Sequence, residues 1–389
     1  MKRISELEKL YVMEVLENSF RTSKGSIFNE RLEETFSKKL NVNYSIGHVN
    51  ATAALHTALL SIDIEPDDEV IVPPLTMSST SISVLQANAI PVYADIDAKT
   101  LTICPKSIKK NLTKKTRAII SVAVYGLPPN YDQILKICRD NKLFLIEDNA
   151  ECFLGKFNKK KIGCFGDFSA YSFQASKHMT CGNGGMLCCN NIKLADKARK
   201  ISNLGYTTVG AKKMLIKKEE IQSPNFKRHS ILGFNYRMSE VNAAVALAQL
   251  ERLEELVFIR KQSAKIFLDA ISDFELFTPQ YVPKNYECAY WTTALILETD
   301  KPQKDWFKFR KLFKENGGDD FYGAWALSYF EPLLQKFFKT RKLNQKYNEG
   351  LCKNAEFVQP RIMQFKTNYW NLNEAKKQGQ ILKKTCEMF

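Results

Sequence analysis

"DEVIVPPLTMSSTSISVLQANAIPVYADID", residues 68–97, reads as strand, helix, strand in quick succession. The runs "DEVIVPP" (68–74) and "IPVYADID" (90–97) are apolar and β-branched, without polar alternation. Between them "SSTSISVLQANA" (78–89) is helix-like. Strands that lack alternation are covered on both faces, the condition of a parallel sheet. The same rhythm continues outward. "RAIISVAVYG" (117–126), "LFLIEDNA" (143–150), "FSAYSF" (168–173) and "GMLCCN" (185–190) read as further strands. "TAALHTALLSI" (52–62) and "YDQILKICRDN" (131–141) read as helices. The expected fold class is α/β, a mostly parallel sheet flanked by helices.

The segment "EVNAAVALAQLERLEEL" (240–256) predicts one long helix, with Ala243, Leu247, Leu250 and Leu253 on one face and Ser239 as its N-cap. Beyond about residue 257 aromatics and lysines increase and the alternation loosens. Two domains are therefore expected: a large one over 1–256, opened by a helical arm, and a smaller C-terminal α+β one over 257–389. A chain of 389 residues is long for one core.

Hydrophobic content of 44% and charged content of 25% describe a globular chain. The net charge of +15 suits phosphorylated or acidic ligands. Its lysines are dispersed, in short runs such as "FNKKKIG" and "GAKKMLIKKEE", without the clustering that nucleic acid requires. Ten cysteines include no CxxC pair and only four histidines accompany them, so no metal site is expected. The cysteines read as buried hydrophobes or free thiols of a reducing compartment. The start, "MKRISELEKLYVMEVLENS", reads as an amphipathic helix, not a signal peptide. No apolar run nears the roughly eighteen residues of a membrane span. The expected location is the cytoplasm.

Three stretches carry chemistry. In "YSFQASKHMTCGNGG" (171–185), Lys177 stands between an apolar run and Gly182, Gly184 and Gly185. A lysine held in a low-polarity pocket is an amine nucleophile. Taken alone, a lysine reaching out from a strand edge is the plainer reading. "LIEDNAECFLG" ends a strand in two acids, Glu147 and Asp148. The carboxyl ends of parallel strands are where α/β sheets bind ligands, although a helix cap or surface loop reads as well. Asp148 and Lys177 in one crevice would suit pyridoxal phosphate, a lysine for the Schiff base and a carboxylate for the pyridinium nitrogen. In "GHVNATAALHTALL" a helix starts near Ala51 or Thr52, with small residues around free N–H groups that suit a phosphate. An ordinary capped helix reads equally. Ser172 would add a hydroxyl to the same anion.

Taken in order, these stretches resemble the DegT/DnrJ/EryC1/StrS sugar aminotransferases, pyridoxal-phosphate enzymes of fold type I. The resemblance runs through "FRTSKGSIFNERLEETFSKKL", "NATAALHTALL", "DDEVIVPPLTMSSTSISVLQANAIPVYADID", "VYGLPPN", "IEDNAECFLG", "KIGCFGDFSAYSFQASK", "GNGGML" and "GFNYRMSEVNAAVALAQLERL". It covers roughly residues 20 to 255, and its motifs are specific in their order. It implies a seven-stranded, mostly parallel sheet. It also implies that Lys177 is the Schiff-base lysine and proton shuttle, and that Asp148 keeps the pyridine nitrogen protonated. Glu151 falls near the ring hydroxyl. Thr52, Ala53 and Ser172 match the phosphate site, and Asn235 matches a residue supplied by the partner of a homodimer.

Two departures stand out. Met77 occupies the place where the family carries an aromatic residue over the cofactor ring. The segment "GGDDFYGAWALSYFEPLL" (317–334) lacks the family's histidine, and none follows His229. The resemblance implies amino transfer, usually from L-glutamate, to a nucleotide-linked keto-sugar for surface polysaccharide. A small phosphorylated ketone such as dihydroxyacetone phosphate is the alternative acceptor. A sugar dehydratase of this fold would carry histidine in place of Lys177, and a non-catalytic regulator would not need the complete set.

Overall fold

The computed structural model describes residues 2–18, 20, 27–212, 216, 218–343 and 346–389. Part of the motif "FRTSKGSIFNERLEETFSKKL" and part of the basic run "GAKKMLIKKEE" lie outside them.

Seven strands form the large sheet: β1 (Tyr44–His48), β2 (Glu69–Val72), β3 (Ile90–Tyr93), β4 (Thr116–Val122), β5 (Phe144–Asp148), β6 (Phe168–Ser172) and β7 (Gly185–Cys189). Their order is β1-β7-β6-β5-β4-β2-β3. Strands β2 to β6 pair in parallel. Strand β7 runs antiparallel to both β6 and β1. Successive side chains on a strand point to opposite faces, and the core divides accordingly. Val70, Val72, Ala118, Ile120 and Ile146 pack on one face, with Leu55 and Leu59 of α3 (Ala51–Ser61). Ile71, Ile119 and Leu145 pack on the other, with Ile134 and Ile137 of α5 (Tyr131–Asn141). The shorter helix α4 (Ser79–Gln86) links β2 to β3. Both faces are dry, which is why the strands lack polar alternation.

A third apolar layer joins α1 (Glu6–Glu17), α2 (Ile27–Leu40) and α7 (Glu240–Glu251) through Val15, Phe28, Leu32, Phe36, Ala243 and Leu247. Ser5 and Glu8 cap α1 reciprocally. Ser239 caps α7, accepting from the Asn242 amide. The single helix expected over 240–256 is instead two. Helix α7 ends at Glu251 and α8 (Leu253–Ile271) begins beyond Arg252, whose φ is −105°. No glycine or proline marks the break. Arg252 is drawn to the N-terminal segment, donating to the Lys2 carbonyl (2.8 Å) and to Glu8 (3.2 Å). That partner is remote in sequence, so the helical spacing runs through the break unaltered.

The C-terminal sheet is antiparallel throughout. Its strands are β8 (Phe277–Pro279), β9 (Thr292–Leu297), β10 (Tyr322–Gly323) and β11 (Ile362–Lys366), in the order β8-β9-β11-β10. Phe267, Leu295, Phe309, Phe313, Phe321 and Phe365 form its core. Among the described residues no helix is long and apolar enough to cross a membrane.

Candidate active site

The end of β5 separates the two acids that sequence places side by side. Adjacent strand residues face opposite ways. Glu147 accepts the backbone N–H groups of Gly163 (2.7 Å), Phe165 (2.8 Å) and Gly166 (2.8 Å), pinning that loop. Asp148 faces the other side. Its Oδ2 accepts the Thr80 hydroxyl (2.8 Å) and its Oδ1 the Ala150 amide (3.2 Å). Burial pushes its carboxyl above the usual carboxylate range, while the Thr80 hydroxyl, the Ala150 amide and Lys177 pull it back.

Lys177 lies five residues past β6, its amide donating to the Gln174 carbonyl (3.0 Å). Its amine stands 3.2 Å from Glu151 Oε1, and the two side chains are 12% and 5% exposed. The amine also sits 4.2 Å from the centre of the Trp291 ring, a cation–π contact. Glu151 Oε2 accepts the Tyr125 backbone N–H (3.0 Å). Burial raises the Glu151 carboxyl, opposed by Lys177 and by that amide. Tyr125 has φ +58°, an uncommon conformation for an aromatic residue and one that clusters at functional sites. Its ring is near-parallel to Trp325 (14°), and Trp325 to Trp291 (10°).

The start of α3 converges on the same region. Of its four N–H groups without intrahelical partners, that of Ala53 donates to the Asn50 side chain (2.8 Å). Those of Ala51 and Thr52 remain at the tip. Gly185 makes this approach possible. A Cβ there would stand 2.6 Å from the Asn50 carbonyl carbon and 2.7 Å from the Ala51 nitrogen. Gly185 pairs with Ser172 across β6 and β7, and the Ser172 hydroxyl accepts the Gln174 amide (3.3 Å). Met77 is half exposed, one turn before Thr80. The structure thus gathers Lys177, Asp148 and Glu151 in one crevice, with Met77 linked to it through Thr80. Thr52 and Ala53 stand at the helix start, and Ser172 pairs with the Gly185 that packs against it. Asn235 is not brought to Lys177. It is exposed, and its side chain accepts from Arg237 Nε (2.9 Å).

A model of the DegT/DnrJ/EryC1/StrS aminotransferase family matches residues 2–374. The chain belongs to this family. It is 29% identical to the GDP-perosamine synthase of Vibrio cholerae over 357 residues, covering 89% of this chain and 92% of that protein. It is 32% identical to the GDP-perosamine synthase of Escherichia coli O157:H7 over 298 residues, 77% of each chain. The aminotransferase from Psychrobacter cryohalolentis has the same fold, with a TM-score of 0.87 and 26% identity, over 99% of this chain and 98% of that one. This chain is a pyridoxal-phosphate-dependent aminotransferase, and the donor set fits that cofactor: a largely buried amine, a buried carboxylate on a strand end, and a helix start whose Ala51 and Thr52 amides have no partner among the described residues.

Within this family site, several contributors carry no sequence signal. Thr80, Tyr125, Trp291 and Trp325 have no motif spacing to Lys177, and only the fold brings them together. Tyr125 sits in "VYGLPPN", where the glycine at 126 gave no hint of a positive φ one residue earlier. His178 is structural. Its Nε2 lies 2.9 Å from the Ala289 carbonyl, and burial and Arg260 push its imidazole well below its ordinary range.

Proposed function

We propose that this chain moves an amino group from L-glutamate to the ketone of a nucleotide-linked keto-sugar, for surface polysaccharide. The observation that carries the reading is the Lys177 amine held against Glu151 beside the buried Asp148. Pyridoxal phosphate, bound there, supplies an electron sink for a carbon that loses its proton. Lys177 would give the amine that holds the cofactor and would carry that proton between the substrate α-carbon and the cofactor. Asp148, oriented by Thr80 and Ala150, keeps the ring nitrogen protonated, and that cation offsets the cost of burying the carboxylate. Glu151 orients the amine and would lie near the ring hydroxyl. The Ala51 and Thr52 amides with the Ser172 hydroxyl receive the phosphate, and the small side chain of Ala53 leaves it room. Met77, half exposed, would offer a polarizable thioether to the ring.

The GDP-perosamine synthase relatives support the sugar-type acceptor, and neither of those two points to a small phosphorylated ketone. The retained Lys177 speaks against the dehydratase reading. We also infer a homodimer in which Asn235 of a second copy reaches the phosphate, a domain boundary near residue 256, and a cytoplasmic location. Exposed Leu10, Met13 and Leu16 on α1 support a covered face. The test is to convert the enzyme to its amine-loaded form with L-glutamate and add a panel of nucleotide-linked keto-sugars and dihydroxyacetone phosphate. Return of the visible absorption band with a keto-sugar supports the acceptor class. Return with the triose alone overturns it.

A further inference from the structure

Arg260, on α8, is 1% exposed and has no acidic partner among the described residues. A buried guanidinium without a carboxylate is costly, so its hydrogen bonds indicate what keeps it there. They go to the loop that carries Lys177 and to the ends of two strands. Nη2 donates to the main-chain carbonyls of Ser176 (2.7 Å) and Lys177 (2.8 Å). Nη1 donates to the Trp291 carbonyl (2.9 Å) and the Thr367 hydroxyl (3.3 Å). Trp291 immediately precedes β9 and Thr367 immediately follows β11. The indole N–H of Trp291 adds a second donor to the Ser176 carbonyl (3.1 Å). Arg3 of the N-terminal segment donates to the carbonyls of Ala175 and Lys177. Three successive carbonyls at and before Lys177 are therefore held, from two sides, by cations and an indole.

We propose that Arg260 is a positioning residue for Lys177, fixing its main chain from the C-terminal sheet. A planar guanidinium that holds the Ser176 and Lys177 carbonyls on one nitrogen and the Trp291 carbonyl on the other fixes them in one relative orientation, which a single ammonium does not. With the main chain held, only the side chain of Lys177 moves as it carries a proton. The same guanidinium carries the Trp291 carbonyl, so it also sets the ring on which the Lys177 amine rests. Arg260 touches no reacting atom; it acts through Lys177.

The test uses the full-length chain with R260M and R260K. Before cofactor is added, an amine-reactive reagent labels the protein and peptide mass mapping reads the rate at Lys177 against the exposed Lys136. This arm is independent of the aminotransferase reading. In R260M the expected labelling of Lys177 is several-fold faster than in wild type, because the amine is less held against Glu151 and Trp291. With cofactor, kcat is expected to fall about tenfold or more with KM for the amino donor nearly unchanged, in line with the cost of about 1 Å of misplacement. R260K should recover part of both. If R260M does not fold, R260K decides by the same readouts. Unchanged labelling and unchanged kcat in a folded variant overturn the proposal, even if the melting temperature drops. Failure of both variants to fold also overturns it, because a positioning residue leaves the fold standing. A wild-type protein without transaminase activity overturns the functional reading and leaves the labelling arm to decide this one.

Discussion

Lys177 and Glu151 form an ion pair at 3.2 Å inside the crevice, with Glu151 held from behind by the Tyr125 amide. The amine therefore has a buried counter-charge in the chain itself, separate from Asp148. Glu151→Gln keeps the shape and an acceptor oxygen and removes the charge. The expected result is cofactor retained and kcat reduced about tenfold, the scale of one lost charge-assisted contact. Steady-state kinetics with a spectrophotometric cofactor count would check it. Unaltered kcat would mean that Glu151 only fills space.

Asp148 and its neighbour Glu147 should respond in opposite ways. Burial raises the Asp148 carboxyl, so the folded chain holds that proton more readily than the unfolded chain. The cost of the anion is then absent at low pH. It grows as pH rises from about 4, the unfolded value, through the raised folded value. Asp148→Asn can keep both hydrogen bonds, accepting from Ala150 and donating to the Thr80 oxygen. Without cofactor it should be more stable than wild type at pH 8, with the difference vanishing towards pH 4. It should also lose amino transfer. Denaturant melts at the two pH values measure this.

Glu147→Ala removes the acceptor of three loop amides. It should cost about 2–4 kcal/mol at neutral pH, while cofactor affinity in the protein that remains folded changes little. A variant that is stable but fails to bind cofactor would reverse the roles assigned to these two acids.

Gly185→Ala places a methyl against the backbone of Asn50 and Ala51, where nothing flexible can give way. The expected cost is about 1–3 kcal/mol of stability, together with weaker cofactor binding as the helix tip moves away from Ser172. Thermal melts and a cofactor titration report both. Thr80→Val leaves a buried carboxylate oxygen without its donor; it should cost about 1–3 kcal/mol and reduce kcat several-fold by freeing Asp148.

Much of this was legible in the sequence. Val70, Ile71, Ile119, Ile120 and Leu145 announce a two-sided sheet because both faces must be dry, and burial of that kind is written locally. Lys177 and Asp148 stand out because Asp148 ends a strand-like run and Lys177 follows one, and the ordered family motifs link them. The local pattern alone does not separate Glu147 from Asp148; the resemblance points to Asp148, and the β5 pleat supplies the physical reason that the two acids face opposite ways. The break at Arg252 was invisible because its cause, the segment around Lys2 and Glu8, lies at the other end of the chain. The Trp291 ring and the Arg260 guanidinium likewise reach Lys177 from elements far along the sequence. No local spacing encodes them.

The most direct measurement is reduction of the cofactor-loaded protein with borohydride, followed by peptide mass mapping. The mass of the reduced cofactor is expected on the peptide that contains Lys177, and it should disappear in Lys177→Ala together with the visible absorption. Cofactor found on another lysine, or a wild-type protein that takes up none, would contradict the account.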